Sequence, residues 1–132
     1  MVRLSSGKLF VHSPVEINDK LRSQVDELGE VSVIVAPNRF HHLWVGDWQQ
    51  AYPDARTFAA PGLAEKTPEI RFDGTLGNEP DPEWAEDLGQ VLIEGAPQLG
   101  EVAFYHRASE TLISCDLLIN IHTAMATAIL VI

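Results

Sequence analysis

Two adjacent histidines, His41 and His42, sit in the run Pro37-Asn38-Arg39-Phe40-His41-His42-Leu43-Trp44-Val45-Gly46-Asp47-Trp48. This run joins a stretch that reads as a buried strand to one that reads as a short helix. A strand end is rigid and the following loop is open, so a group placed there is both fixed and accessible. His106 and Asp116 each close another apolar, strand-like run. Imidazoles and a carboxylate gathered at strand ends form the donor set of a metal-dependent hydrolase. There a bound cation acidifies a water molecule and makes a nucleophile of it at neutral pH. Each group also has a purely structural alternative: His41 and His42 bonded to backbone at a helix start, His106 bonded to a carbonyl, Asp116 capping a turn. Asp116 lies between Cys115 and Leu117-Leu118-Ile119. A carboxylate inside such a run has to be paired, hydrogen-bonded or metal-bound.

Other chemistry-bearing residues read more simply. His12, beside Ser13-Pro14, reads as a packed histidine at a strand end. Cys115 reads as a small core residue, with no cationic neighbour to activate its thiol. Trp44 and Trp48 are one helical turn apart, which is the spacing of a core-facing stripe rather than a stacking platform. Glu79, Asp81, Glu83, Glu86 and Asp87 read as a solvated loop and helix start. There is no glycine-rich phosphate loop, no G-x-S-x-G elbow and no Cys-x-x-Cys pair.

The elements that must position these groups follow from local pattern. Residues 8–12 form an apolar strand closed by Ser13-Pro14. Asn18 is a good helix N-cap. Leu21, Val25 and Leu28 recur at helical spacing, and Gly29 stops the helix. Residues 31–35 are β-branched and almost wholly apolar, the mark of a strand covered on both faces. Helical turns then carry Trp44, Trp48 and Ala51, a short strand covers 56–59, and Pro61-Gly62 turns the chain. Residues 67–84 are rich in Gly, Pro, Asp and Glu and read as irregular. Strands follow at 90–94, 101–106 and 111–116. The last two are joined by a connection short enough for a hairpin. The class is α+β, with a mixed sheet and antiparallel pairs in the second half.

The 132 residues are enough for one domain, 1–132, with a real core. The net charge of −10 argues against a non-specific nucleic-acid binder and against docking on anionic membranes. A single cysteine excludes an intrachain disulfide and a Cys-rich zinc module. No secretory signal is visible, and the apolar stretch 117–132 is interrupted by Asn120 and His122, short of a membrane span. A cytoplasmic location is expected.

With these residues in view, the chain resembles an uncharacterised family, domain of unknown function 4336, within the metallo-β-lactamase-like hydrolase fold. The residues that carry the resemblance are Leu9-Phe10-Val11-His12-Ser13-Pro14-Val15, Val35-Ala36-Pro37-Asn38 with His41-His42, and Trp48 with Ala51-Tyr52-Pro53-Asp54-Ala55. Ala60-Pro61-Gly62-Leu63, Phe72-Asp73-Gly74, Glu101-Val102 with His106, and Thr111-Leu112-Ile113 with Asp116-Leu117 continue it, from about Leu4 to about Ile121.

The resemblance implies an αββα sandwich, of which this chain would be the N-terminal part, and a metal-dependent hydrolase of unknown substrate. His41 and His42 fall at the last two positions of the superfamily's H-x-H-x-D-H loop. His106 resembles its later histidine and Asp116 its later aspartate. Pro37 and Arg39 occupy the first two histidine positions and cannot be ligands. The implied site is therefore incomplete, holding one divalent ion, zinc or iron, on His41, His42, His106 and Asp116. The alternative is a non-catalytic, ligand-binding or structural member of the fold. The partner would be a small-molecule substrate. A truncated sandwich would also leave an apolar face uncovered, so self-association and low stability of the isolated chain are expected.

Overall fold

The computed structural model describes residues 1–117. Its first sheet runs in the order β1 (Val2–Arg3), β2 (Leu9–His12), β3 (Val31–Ala36), β4 (Arg56–Ala59), β5 (Gly74–Thr75). β1 is antiparallel to β2, and each later neighbour is parallel to the one before. Parallel neighbours need crossovers. Three helices supply them: α1 (Asp19–Leu28), α2 (Val45–Ala51) and α3 (Leu63–Lys66). The Asn18 side chain accepts the N–H of Leu21 at 2.9 Å, so the expected cap starts α1. Gly29 ends it, its N–H returning to the Val25 carbonyl.

The second sheet is the antiparallel meander β6 (Leu88–Leu92), β7 (Val102–His106), β8 (Thr111–Ile113). The two sheets share one core. Phe10, Val33, Val35 and Phe58 of the first pack with Leu88, Val102 and Phe104 of the second. Trp84 fills the middle, its ring edge-on to Phe10 and Phe58 at centroid distances of 5.4 and 4.8 Å. Its indole N–H donates to Gln90 Oε1, so burial leaves no orphan polar atom. A second core lies on the other face of the first sheet. There Val25, Val45, Trp48 and Leu63 of the helices meet Leu9, Val11, Val31, Ile34 and Ala36. β3 is buried along its whole length because it serves both cores. The described residues thus form a helix layer and two sheets.

Most expected elements are present. β1, β5 and α3 are additions, each only two to four residues long and too short for a periodic signal. β6 begins two residues earlier than expected, and β8 ends at Ile113, so Asp116 lies beyond the strand rather than at its end. The outer face of the second sheet exposes Val91, Tyr105 and Leu112. The tail 121–132, expected to add apolar surface, lies outside the described residues. Among the described residues no helix is long and apolar enough to cross a membrane.

Candidate functional site

In open parallel sheets, ligands bind beyond the carboxyl ends of the strands, where loops diverge. Here β2 and β3 end side by side, with His12 paired to Val35 and the Ser13 N–H donating to the Val35 carbonyl. The loop after β3 is held from below. The Val102 N–H donates to the Pro37 carbonyl at 2.8 Å and the Arg39 N–H to the Leu99 carbonyl at 3.0 Å, tying the loop to the start of β7. Gly100 permits this approach. Its φ is +58°, and a side chain there would lie 3.3 Å from the Pro61 carbonyl oxygen.

Asn38 is fully buried and organises the loop. Its Oδ1 accepts the N–H groups of Phe40 and His41, both at 2.9 Å, an Asx turn that folds the chain back on itself. Its amide nitrogen donates to Asp116 Oδ2 at 2.8 Å and to Glu101 Oε2 at 3.3 Å. Glu101, equally buried, accepts the N–H of Cys115 through Oε1 and the N–H of Asp116 through Oε2, both at 2.8 Å. Glu101 therefore anchors the chain just after β8, and Asn38 clamps the Asp116 carboxylate.

The turn presents His41 between two groups. Its Nδ1 is 2.6 Å from Ser13 Oγ and its Nε2 is 3.3 Å from Asp116 Oδ2. Ser13 has φ +51°, a left-handed conformation that a serine holds only when its surroundings impose it. Ser13, Pro14, Val15, Phe40, His41 and His42 help to line an open cavity of about 300 Å³.

Two flanking groups are strongly perturbed. His12, edge-on to Phe104, has its pKa lowered to about 4. Burial is the main cause; the N-terminal ammonium and His41 add to it, and Glu101 opposes it. Its Nε2 is buried and has no hydrogen-bond partner among the described residues. The half-buried Cys115 thiol is pushed up to about 11, chiefly by burial. Its hydrogen bond with Ser13 opposes the rise, and Glu101 and Asp116 add to it.

Of the four expected ligands, the structure brings together His41 and Asp116. His42 lines the same cavity, but its Nδ1 is engaged at 3.1 Å by the Phe40 carbonyl. His106 is elsewhere. β7 starts at the site, beside Glu101, and runs away from it, so His106 lies about 16 Å further along the strand. There its Nδ1 meets Ser109 Oγ at 2.6 Å. The hairpin reverses direction, and β8 carries the chain back to bring Asp116 home. Strand ends share one edge only when strands are parallel, and this pair is antiparallel.

The four expected ligands do not converge on one point: His41 and Asp116 meet, while His106 lies at the far end of β7. Glu101 is occupied by two backbone amides and Asn38, and Asp116 Oδ2 is shared between Asn38 and His41. Among the described residues no three His, Cys, Asp or Glu side chains are grouped to hold an ion.

Ser13, Asn38 and Glu101 were not singled out from sequence. Each had a signal: a serine between a strand-end histidine and a proline, an asparagine able to form an Asx turn just past a buried strand, and an acid between Gly100 and the apolar run Val102 to Phe104.

No curated protein matches the chain in sequence. A family match spans residues 1–131, reaching ten residues past the expected limit near Ile121 and taking in the tail. The chain therefore belongs to the family described as Domain of unknown function (DUF4336).

Proposed function

We propose that the chain is a small-molecule hydrolase in which His41, backed by Asp116, is the general base acting on an ester or related acyl bond. One observation carries the reading: the His41 ring is held at both nitrogens, by a hydroxyl on one side and a carboxylate on the other. A carboxylate at Nε2 favours the tautomer with its proton there. That leaves the Nδ1 lone pair facing Ser13. Nδ1 then takes the proton of the attacking hydroxyl, and Asp116 stabilises the imidazolium that forms. The cavity is at the small end of the ligand-pocket range and is walled by Pro14, Val15, Phe40 and Leu43, which suits a short, partly apolar substrate.

The layering of helices and two sheets, with the reactive loop after β3, supports a metallo-β-lactamase-like sandwich that works without that fold's metal pair. The test is hydrolysis of p-nitrophenyl acetate in excess EDTA. His41→Gln and Asp116→Asn should each lower kcat/KM by about 10²–10⁴, the usual worth of a positioned base. Hydrolysis that EDTA abolishes, zinc restores and His41→Gln leaves intact would sink the reading.

A further inference from the structure

We infer that Ser13 is the nucleophile of this site, and that turnover passes through an acyl–Ser13 intermediate rather than by direct attack of water. The inference rests on the hydrolase reading above and adds the identity of the attacking atom.

Three observations of different kinds converge on Ser13. Its Oγ is 2.6 Å from the His41 nitrogen that faces it, within reach for proton transfer. It lines the open cavity rather than the core. It is also one of only two non-glycine residues with positive φ among those described, at the sharp turn where β2 ends. Strained backbone at the end of a strand is a means of pushing a nucleophilic side chain out towards substrate. Glu110, the other such residue, sits in the β7–β8 connection, where a turn alone accounts for it.

The step balances without any outside reagent but water. Ser13 Oγ attacks the acyl carbon as its proton passes to His41 Nδ1. The imidazolium donates through Nε2 to Asp116 Oδ2. The tetrahedral adduct collapses, the C–O bond to the leaving alkoxide breaks, and His41 returns the proton to that alkoxide. Water then attacks acyl–Ser13, with His41 again taking and returning a proton, and the carboxylic acid leaves with Ser13 restored. Asn38 and Glu101 touch no reacting atom; they are positioning residues that hold Asp116.

The residue after Ser13 is Pro14, which has no N–H. The backbone donor that commonly stabilises the oxyanion at that position is absent, and one such donor is worth about 10²–10³ in rate. Turnover should be slow, so the experiment reads the covalent adduct and not rate alone.

The full chain is treated with a short-alkyl fluorophosphonate and digested, and the modified peptide is identified by mass spectrometry. One adduct per chain on Ser13 is expected, with labelling at least about 100-fold slower in His41→Gln. Ser13→Gly removes the hydroxyl while relieving the positive φ, so its fold should survive, as circular dichroism would check. It should lose p-nitrophenyl acetate hydrolysis. If Ser13→Gly still hydrolyses the ester, His41→Gln does not, and the wild type takes no label, water is the nucleophile; this proposal falls while the general-base reading stands. If the wild type neither hydrolyses nor labels, both fall.

Discussion

His12 offers a stability measurement that isolates one buried group. Its imidazole sits at the rim of the inter-sheet core against Phe104, with Nε2 unpartnered among the described residues, and burial lowers its pKa from an ordinary 6.5 to about 4. The folded state therefore binds this proton more weakly than the unfolded state. Stability is full above pH 6.5 and is lost as pH falls from there through 4. Between pH 7 and pH 4.5 the loss comes to about 2–3 kcal/mol, at about 1.4 kcal/mol per tenfold change in proton affinity. That is a sizeable part of a small domain's net stability. Urea unfolding at the two pH values measures it. His12→Phe supplies the reference, since Nε2 has no hydrogen-bond partner among the described residues for the replacement to sacrifice. The partly shielded N-terminal ammonium also has a lowered pKa, and subtracting the variant's pH response removes its share. The carboxyl of Asp81, held low by the Arg56 guanidinium, loses its contribution only as pH falls below about 3.8, outside the window. Wild type should lose about 2 kcal/mol more than His12→Phe. Equal losses in both proteins would refute the assignment of a neutral, buried His12.

Other outcomes follow from the same contacts. Asn38→Ala leaves the Phe40 and His41 amides and Glu101 short of partners, and should cost about 2–4 kcal/mol in urea unfolding. Asn38→Asp should cost more, because it sets a third carboxylate against Asp116 and Glu101. Glu101→Gln leaves one of the Cys115 and Asp116 N–H groups facing an NH2 instead of an acceptor, so deuterium uptake at that amide should rise at least tenfold while β3 stays protected. With its thiol near 11, Cys115 has about one thiolate per thousand at pH 8, and should react with Ellman's reagent about 100-fold more slowly than a free thiol. Gly100→Ala meets both a positive φ and the Pro61 carbonyl, and should cost about 1–2 kcal/mol by thermal unfolding.

What could be read from sequence was whatever depends on neighbours along the chain. The apolar run 31–35 announced a central strand, Asn18 announced a helix start, and the short 107–110 connection announced a hairpin. Asp116 as an acid needing partners was also legible, because burial of an unpaired carboxylate is prohibitive wherever it occurs. The composition of the site was less so. His106 looked equivalent to the other strand-end groups until the antiparallel pairing of β7 and β8 sent it to the far end. Ser13 and Glu101 owe their roles to residues 28 and 15 positions away, and no local pattern encodes such distances.

The polar network also explains why an acidic side chain can lie fully buried at the junction of the two sheets. Glu101 accepts from Asn38 and from two backbone amides that would otherwise need partners of their own. Hydrogen bonds of this kind add little when all partners are present, yet losing any one leaves a buried group unsatisfied. That asymmetry ties the end of β8 to the loop after β3 in one register. A slip of one residue would turn Asp116 away from His41 and strand Glu101 at the same time. The bonds that close the second sheet against the first are thus the bonds that aim the carboxylate at the imidazole. Stability and site geometry should fail together in variants of Asn38 and Glu101, and separately in variants of Ser13 and His41, whose side chains face the cavity.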